Sequence, residues 1–504
     1  MSQPTNLGDL IDRTRDLNQT AIIDLRLPEQ PRVYTHLDID RLAGGVAQLL
    51  AAQGFKRGAR IAIAALNRVE YIAAYFGIMR AGFVAVPINT KLPQETLEFI
   101  VRDADIQLAF VDSARRQVFR GLIDVIDFDD QGPAGFDALL KPGDFASVRP
   151  QADELAQVLY TSGSTGRPKG VPLSHAGQLW ALQARGAPPG ADRERQIVAQ
   201  PLFHMNGLMV TKGAFLNGAS LVLQPSFDAT AYTEALAAWG VTSVMAIPTM
   251  FARVVKVLAS RPDLDLSALK RIGLGSAPLT LALIERIEHA IPGAVVGNGY
   301  GTTEAGPAVF GVYPDGRPTP PLALGIPVAG GEVLLVDGPD ENEGVLWMRN
   351  PAVTSGYLNL PAKNAEVLRD GWYISGDVMR RDGEGFYYFV GRADDMFVCS
   401  GENIYPGEVE KLLEQHPQVQ HAAVVPLPDE ERSAVPVAFV VLTAGSDLTV
   451  EALKQFAIER GPAYQHPRRV NFLVELPWAG TNKIDRATLL RQACELEAAQ
   501  GWSR

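Results

Sequence analysis

The chain has 504 residues, too many for one hydrophobic core, which seldom grows past about 250–300 residues, so at least two domains are expected. A composition of 47% hydrophobic and 20% charged residues is that of a soluble globular protein, and no uncharged apolar run reaches the roughly 18–20 residues of a membrane span. The net charge of −11 argues against a nucleic-acid surface, and two distant cysteines, Cys399 and Cys494, argue against a disulfide or metal framework and for a reducing, cytoplasmic compartment.

The first residues lack a basic start followed by an apolar run, so no secretory signal is expected. Leu42, Val46, Leu49 and Leu50 share one helical face and predict a helix over 38–53. Residues 60–65 read as a buried strand, 70–81 as a helix and 84–88 as a strand. The alternation recurs as strand 219–223, helix 230–239 and strand 243–247. Such alternation predicts an α/β architecture with largely parallel sheets. After residue 320, Gly-rich turns separate short strands at 331–336, 344–348 and 385–390, which predicts a small antiparallel β-barrel or sheet. Past the polar junction 391–395, helices at 406–415 and 450–460 mix with strands at 422–425 and 437–442, as in a compact α+β domain. The domains are expected to span 1–392 and 393–504.

The strongest chemical signal is Tyr160-Thr161-Ser162-Gly163-Ser164-Thr165-Gly166-Arg167-Pro168-Lys169-Gly170. Glycines let backbone N–H groups approach phosphate oxygens, hydroxyls add donors and Lys169 adds charge. A Ser/Gly linker is the alternative, but a strand at 155–159 and a helix at 175–184 capped by Ser174 flank the run and favour a phosphate loop. It is not the common P-loop, because Gly-x-x-x-x-Gly-Lys-Ser/Thr is absent.

Further motifs follow in order. In Asn298-Gly299-Tyr300-Gly301-Thr302-Thr303-Glu304, the Tyr300 ring suits stacking on a base, the threonines offer donors and Glu304 suits a hard cation. Read alone, such a glutamate is ordinarily a solvated surface residue. Gly275-Ser276-Ala277-Pro278 reads as a tight turn. Trp372-Tyr373-Ile374-Ser375-Gly376-Asp377 ends in a carboxylate able to accept both hydroxyls of a vicinal diol, although a Gly-Asp turn is common in any β region.

This ordered set, continuing through Arg392 and Gly480-Thr481-Asn482-Lys483-Ile484-Asp485-Arg486, resembles the adenylate-forming superfamily of acyl-CoA synthetases, adenylation domains and firefly-type luciferases over nearly the whole chain. The resemblance implies a large domain of parallel-sheet αβαβα layers plus a small β-barrel, then a small mobile α+β domain. It implies ATP, Mg²⁺ and coenzyme A as cosubstrates and cofactor. Thr161, Ser162, Gly163, Ser164, Thr165, Gly166 and Lys169 would hold phosphates. Gly275, Ser276, Ala277, Asn298, Gly299, Tyr300, Gly301 and Thr303 would surround the rest of the nucleotide, with Asp377 and Arg392 on its ribose. Glu304 and Thr165 would hold the metal, and Lys483, Glu304 and Thr302 would form the catalytic set. Asp394 would be the hinge, Gly401 and Tyr464 would meet coenzyme A, and His204, Met205, Gly299 and Gly306 would line the acyl pocket. Local composition does not separate Asp394 from a turn cap or Lys483 from an exposed lysine, and His204 reads equally as a packed structural histidine.

The implied reaction joins a carboxylic acid to coenzyme A through an acyl-adenylate, releasing pyrophosphate and AMP. Small residues at Gly299, Gly306 and Pro307 suit an aromatic or compact short- or medium-chain monocarboxylate. Three readings compete with it: an adenylating enzyme serving a carrier protein, a luciferase-like oxygenase and an inactive nucleotide-binding scaffold. Residues 203–207 contain no acid to pair an amino-acid ammonium, which disfavours the first. Some positions depart from the family pattern: Asn482 replaces a usual glycine, 429–434 lack the aromatic-Gly-Glu run, and Tyr464-Gln465-His466-Pro467 replaces the usual Lys-x-Pro run. Arg432, Arg468 or Arg469 are therefore candidates for the far end of coenzyme A. A homodimer is left open.

Overall fold

The computed structural model describes residues 4–161, 167–184, 186–187, 190–277, 279–399, 402–429, 432–462, 465–478, 484–500 and 502. A six-stranded sheet runs Asp124–Asp127, Ile106–Val111, Arg60–Ala64, Val84–Pro87, Leu155–Thr161, Lys169–Ser174. All neighbours are parallel except the last two strands, which form an antiparallel hairpin. Four of the five residues of Arg60–Ala64 are buried, so the strand reads as an apolar run without alternation. Helices His36–Ala51 and Val69–Arg80 pack together so closely that a Cβ on Gly77 would lie 2.5 Å from Val46 Cβ. The first begins in a capping box, where Asp38 N–H donates to Thr35 Oγ1 and Thr35 N–H to Asp38 Oδ2.

A seven-stranded sheet runs Val295–Gly299, Arg271–Gly275, Ser243–Ala246, Arg195–Val198, Ser220–Leu223, Thr20–Asp24, Arg32–Thr35, parallel except for the final pair. The α/β class, the parallel sheets and the element types therefore match the sequence reading. One local expectation differs. Between the phosphate loop and the helix His175–Gln183 lies the strand Lys169–Ser174, whose Lys169 pairs with Thr161, so the loop closes a β-hairpin.

Beyond residue 320, strands Glu332–Asp340, Glu343–Arg349, Trp372–Arg381, Leu368–Arg369 and Tyr387–Arg392 form an antiparallel sheet. This corrects the expected small β-barrel, for the sheet is open. Glu332–Asp340 pairs only with Glu343–Arg349 among the described residues, and its far end, through Asp340, is exposed. Closure needs strand tilt and a partner for each edge, and a solvated polar edge supplies neither.

The last region has its own apolar core, built from residues such as Val409, Leu413, Val424, Phe439, Leu453 and Leu489. Its helix Pro406–Leu413 docks on Tyr387–Arg392 of the preceding sheet, where Lys411 Nζ donates to Phe389 O (2.9 Å). No helix among the described residues is long and apolar enough to cross a membrane.

Candidate active site

The sequence motifs collect at the carboxyl ends of parallel strands, the place where open α/β sheets bind ligands. Thr161 ends one strand of the six-stranded sheet, and its Oγ1 is buried with no hydrogen-bond partner among the described residues. Gly275 and Gly299 end adjacent strands of the other sheet and are register partners. They approach so closely that a Cβ on Gly275 would sit 2.7 Å from Gly299 O. Ser276 follows at φ 65°, in the left-handed region, so the chain leaves the strand sharply before Ala277. Asn298 spends its amide on Leu322 O (2.8 Å), pinning a neighbouring turn.

After Tyr300 the chain folds tightly. Thr302 N–H donates to Gly306 O (3.1 Å) and Thr302 Oγ1 accepts from Ala305 N–H (2.9 Å). A Cβ on Gly301 would lie 2.5 Å from Pro307 Cα, and Gly306, at φ 86°, packs against Ala352 and Ala181, so both positions need glycine. Thr303 is half-buried in this turn. The turn places Glu304 inside the protein, 8% exposed, where its Oε1 accepts from the Tyr357 hydroxyl (2.8 Å). Lys169 Nζ lies 4.4 Å from the centre of the Tyr357 ring. Burial pulls the Lys169 pKa below the ordinary lysine value, while the nearby Glu304 charge pulls it up.

A second cluster adjoins the first. Asp377 and Arg392 are register partners on neighbouring antiparallel strands, and Arg392 Nη1 donates to Asp377 Oδ1 (2.8 Å). The Tyr300 hydroxyl donates to Asp377 Oδ2, while its ring rests at 54° to Phe310. Burial, then the Asp377 charge, hold the Tyr300 phenol far above its ordinary pKa. The Arg392 guanidinium also grips Asp394 through Nε (2.9 Å) and Nη2 (3.1 Å). The charges of Glu304, Arg392 and Asp394 all act on Lys169, so these groups share one electrostatic site.

Two family descriptions fit the chain: AMP-binding enzyme over residues 12–358, and AMP-binding enzyme C-terminal domain over residues 408–483. The chain belongs to the AMP-binding enzyme family. This AMP-binding enzyme is 32% identical over 481 residues to a feruloyl-CoA synthase of an Amycolatopsis species, with 91% of this chain and 94% of the relative covered. It is 32% identical over 510 residues to an indoleacetate–CoA ligase of Aromatoleum aromaticum, covering 95% and 96%. In structure it resembles an anthranilate CoA ligase in complex with anthranoyl-AMP, at a TM-score of 0.88 and 27% identity, covering 99% of each chain.

Several expected site residues of this AMP-binding enzyme lie outside the described residues: Ser162, Gly163, Ser164, Thr165, Gly166, Pro278, Gly401, Tyr464 and Lys483. His204 lies in a different setting from the charged group. It sits at the N-cap position of the helix Met205–Asn217 without a side-chain capping bond and rests on Phe203 with ring centres 4.5 Å apart. Burial, helped by the Lys91 charge, pushes its pKa down to about 4, so it is neutral at ordinary pH. Met205 is partly buried against the main core. Of the candidate coenzyme A arginines, Arg469 is paired with Glu497 (3.1 Å), Arg468 contacts His466, and the Arg432 N–H donates to Asp429 Oδ1 (2.8 Å).

The residues present suit magnesium bound with a nucleotide. That ion keeps several waters and takes one or two carboxylates plus phosphates, so it needs no dedicated cage. Glu304 offers such a carboxylate, and its Oε2 accepts no hydrogen bond among the described residues. No group of three or more potential metal ligands occurs among the described residues. Sequence reasoning missed Tyr357 as the partner of Glu304 and Asn364 as the clamp on Tyr357. No spacing rule links residues 304, 357 and 364; the Gly356-Tyr357 pair was the one local sign of a forced turn.

Proposed function

We propose that this AMP-binding enzyme is an ATP-dependent carboxylic acid:CoA ligase acting on an aromatic or other compact monocarboxylate. The observation that carries the reading is the meeting of Lys169, Glu304, Asp377 and Arg392, from four separate chain segments, in one charge-coupled site. The named activities of the relatives, on ferulate, indoleacetate and anthranilate, supply the aromatic class.

In this reading the substrate carboxylate attacks the α-phosphorus of ATP, the bond to pyrophosphate breaks, and an acyl-adenylate results. The coenzyme A thiol then attacks the acyl carbon and AMP leaves. Glu304 and Thr165 would hold magnesium, which would neutralise phosphate charge. The residues 161–166 and Lys169 position the phosphates, and Thr302 and Thr303 donate toward the α-phosphate. Asp377 accepts from the ribose hydroxyls and is itself oriented by Arg392. Gly275, Ser276, Ala277, Asn298, Gly299, Tyr300 and Gly301 enclose the base. Lys483 stabilises the negative charge that grows during adenylation. Such transfers depend chiefly on positioning and electrostatics.

We place the domain boundary at 392/393, with Asp394 as the hinge that withdraws Lys483 and brings Gly401 and Tyr464 to the thiol. His204, Met205, Gly299 and Gly306 bound the acyl group. All these residues come from one chain, so the reading requires no second copy. Both cysteines are free, Cys399 buried and Cys494 exposed, which suits a reducing cytoplasmic setting.

The test is pyrophosphate release and thioester formation across cinnamates, benzoates, indole acids and short fatty acids. Lys483→Ala is expected to slow adenylate formation by about 10²–10³-fold. Full-speed adenylation by that variant, or no turnover with any acid, refutes the reading. Adenylation with transfer only to a carrier protein favours the carrier-serving alternative.

A further inference from the structure

The surroundings of Glu304 do more than bury it. Tyr357 is 4% exposed, and its hydroxyl proton is committed to Glu304 Oε1 at 2.8 Å. The Tyr373 phenol lies in the same buried cluster and feels both Tyr357 and Glu304. A phenol has one proton to give, and here it goes to the carboxylate. The carboxylate is thereby fixed by one oxygen and presents the other.

The backbone at Tyr357 is equally constrained. Asn364 accepts from its N–H (2.7 Å) and donates to its carbonyl (2.9 Å). Gly356 sits at φ 121°, and a Cβ there would fall 2.7 Å from Asn364 Nδ2, so the turn that delivers Tyr357 requires glycine. On either side the segment is tied to the site itself. Thr354 N–H donates to the backbone carbonyl of Glu304 (2.7 Å), and Leu358 N–H donates to Gly170 O (2.8 Å), one residue past Lys169.

The ring has a second effect. Lys169 Nζ rests over its face at 4.4 Å, and no direct Lys169–Glu304 ion pair forms among the described residues. The aromatic ring accepts the ammonium on its face while its hydroxyl holds the carboxylate, so opposite charges that would otherwise collapse on one another stay apart. One remains directed at phosphate and the other at a cation.

We infer that Tyr357 is the positioning residue of this site: it orients Glu304 for the magnesium of the bound nucleotide and keeps Lys169 separate from it. The inference rests on the reading of Glu304 as the protein ligand of that metal. Loss of a hydrogen-bond partner behind a metal-binding carboxylate typically costs about 10–100-fold in metal affinity.

The experiment measures Mn²⁺ affinity by electron paramagnetic resonance, on the full chain with a non-hydrolysable ATP analogue. Wild type is compared with Tyr357→Phe, Tyr373→Phe, the double variant and Glu304→Gln, with a thermal melt on each. Tyr357→Phe keeps the ring under Lys169 and loses only the hydroxyl. It is expected to weaken Mn²⁺ by about tenfold or more. Tyr373→Phe removes a neighbouring phenol and leaves the Tyr357–Glu304 bond intact, so it is expected to stay within twofold of wild type, and the double variant to match Tyr357→Phe. A merely structural tyrosine would lower the melting temperature and leave Mn²⁺ affinity alone. Folded Tyr357→Phe within twofold of wild type, beside a weakened Glu304→Gln, overturns the role of Tyr357 and spares the metal reading. Glu304→Gln at wild-type affinity overturns both. If Tyr357→Phe does not fold, Asn364→Ala, which releases the two bonds holding the Tyr357 backbone, decides by the same criterion.

Discussion

Replacing Lys212 by methionine is expected to stabilise the protein, and to do so most at low pH. Lys212 lies on the helix Met205–Asn217 with no exposed surface. Its ammonium donates to Gln178 Oε1 (2.7 Å), which also accepts from Gln157 Nε2 (3.2 Å). Burial pulls its pKa from 10.5 to about 7. At about 1.36 kcal/mol per pH unit, the gap corresponds to roughly 5 kcal/mol of cost for keeping the charged form folded. At pH 6 folded and unfolded chains both hold the proton, and that cost is borne in full. Between pH 7 and about 10 the folded chain has released a proton that the unfolded chain retains, so wild-type stability rises with pH. Methionine fills similar space without charge, and Gln178 Oε1 keeps its bond from Gln157. The expected gain is about 2–5 kcal/mol at pH 6, shrinking towards zero near pH 10. Urea unfolding followed by circular dichroism at five pH values measures it, with adenylation rates expected to match wild type. A variant less stable than wild type at pH 6, or a gain that does not change with pH, refutes the reasoning.

His204, with a pKa near 4, stays neutral through the assay range, so kcat/KM for the acid is expected to show no step near pH 6.5. A step there that vanishes in His204→Gln contradicts this. Asp377→Asn strips the charge from the 2.8 Å partner of Arg392 and weakens the acceptor proposed for the ribose; calorimetry is expected to show ATP bound about tenfold more weakly. Unchanged affinity removes Asp377 from the site. Gly301→Ala drives a methyl to within 2.5 Å of the Pro307 backbone and is expected to cost about 1–3 kcal/mol and much of the ATP affinity. Wild-type melting and binding together would show that the turn relaxes without penalty.

The parts of the fold that were legible in sequence are those with strong periodicity. The predicted helix 450–460 is the observed Val450–Arg460, and 84–88 became Val84–Pro87. The strand Lys169–Ser174 was not legible, because Pro172 speaks against a strand. It is tolerated because this strand lies at the edge of its sheet, with one neighbour. The β-barrel was over-read because antiparallel strands alternate alike in open and closed sheets, and closure is a property of edges that local patterns do not encode. The candidate site was legible wherever its chemistry sits in one contiguous motif, as at 298–304. Tyr357 was not, since its value arises from a side-chain contact at a sequence separation of 53. The burial of Glu304 was likewise invisible, as it follows from the packing of the 350–358 segment and not from the residue's neighbours in the chain.

Arg392 has a mechanical implication. One edge of its guanidinium holds Asp377, and the other holds Asp394, two residues along the chain. A rotation of the backbone at Asp394 must therefore either tear the second grip or draw the arginine off the first. With Asp394 proposed as the hinge and Asp377 as the ribose acceptor, loosening at the junction and loosening around the sugar would be one event felt at two places, and a bound nucleotide would brake the swing.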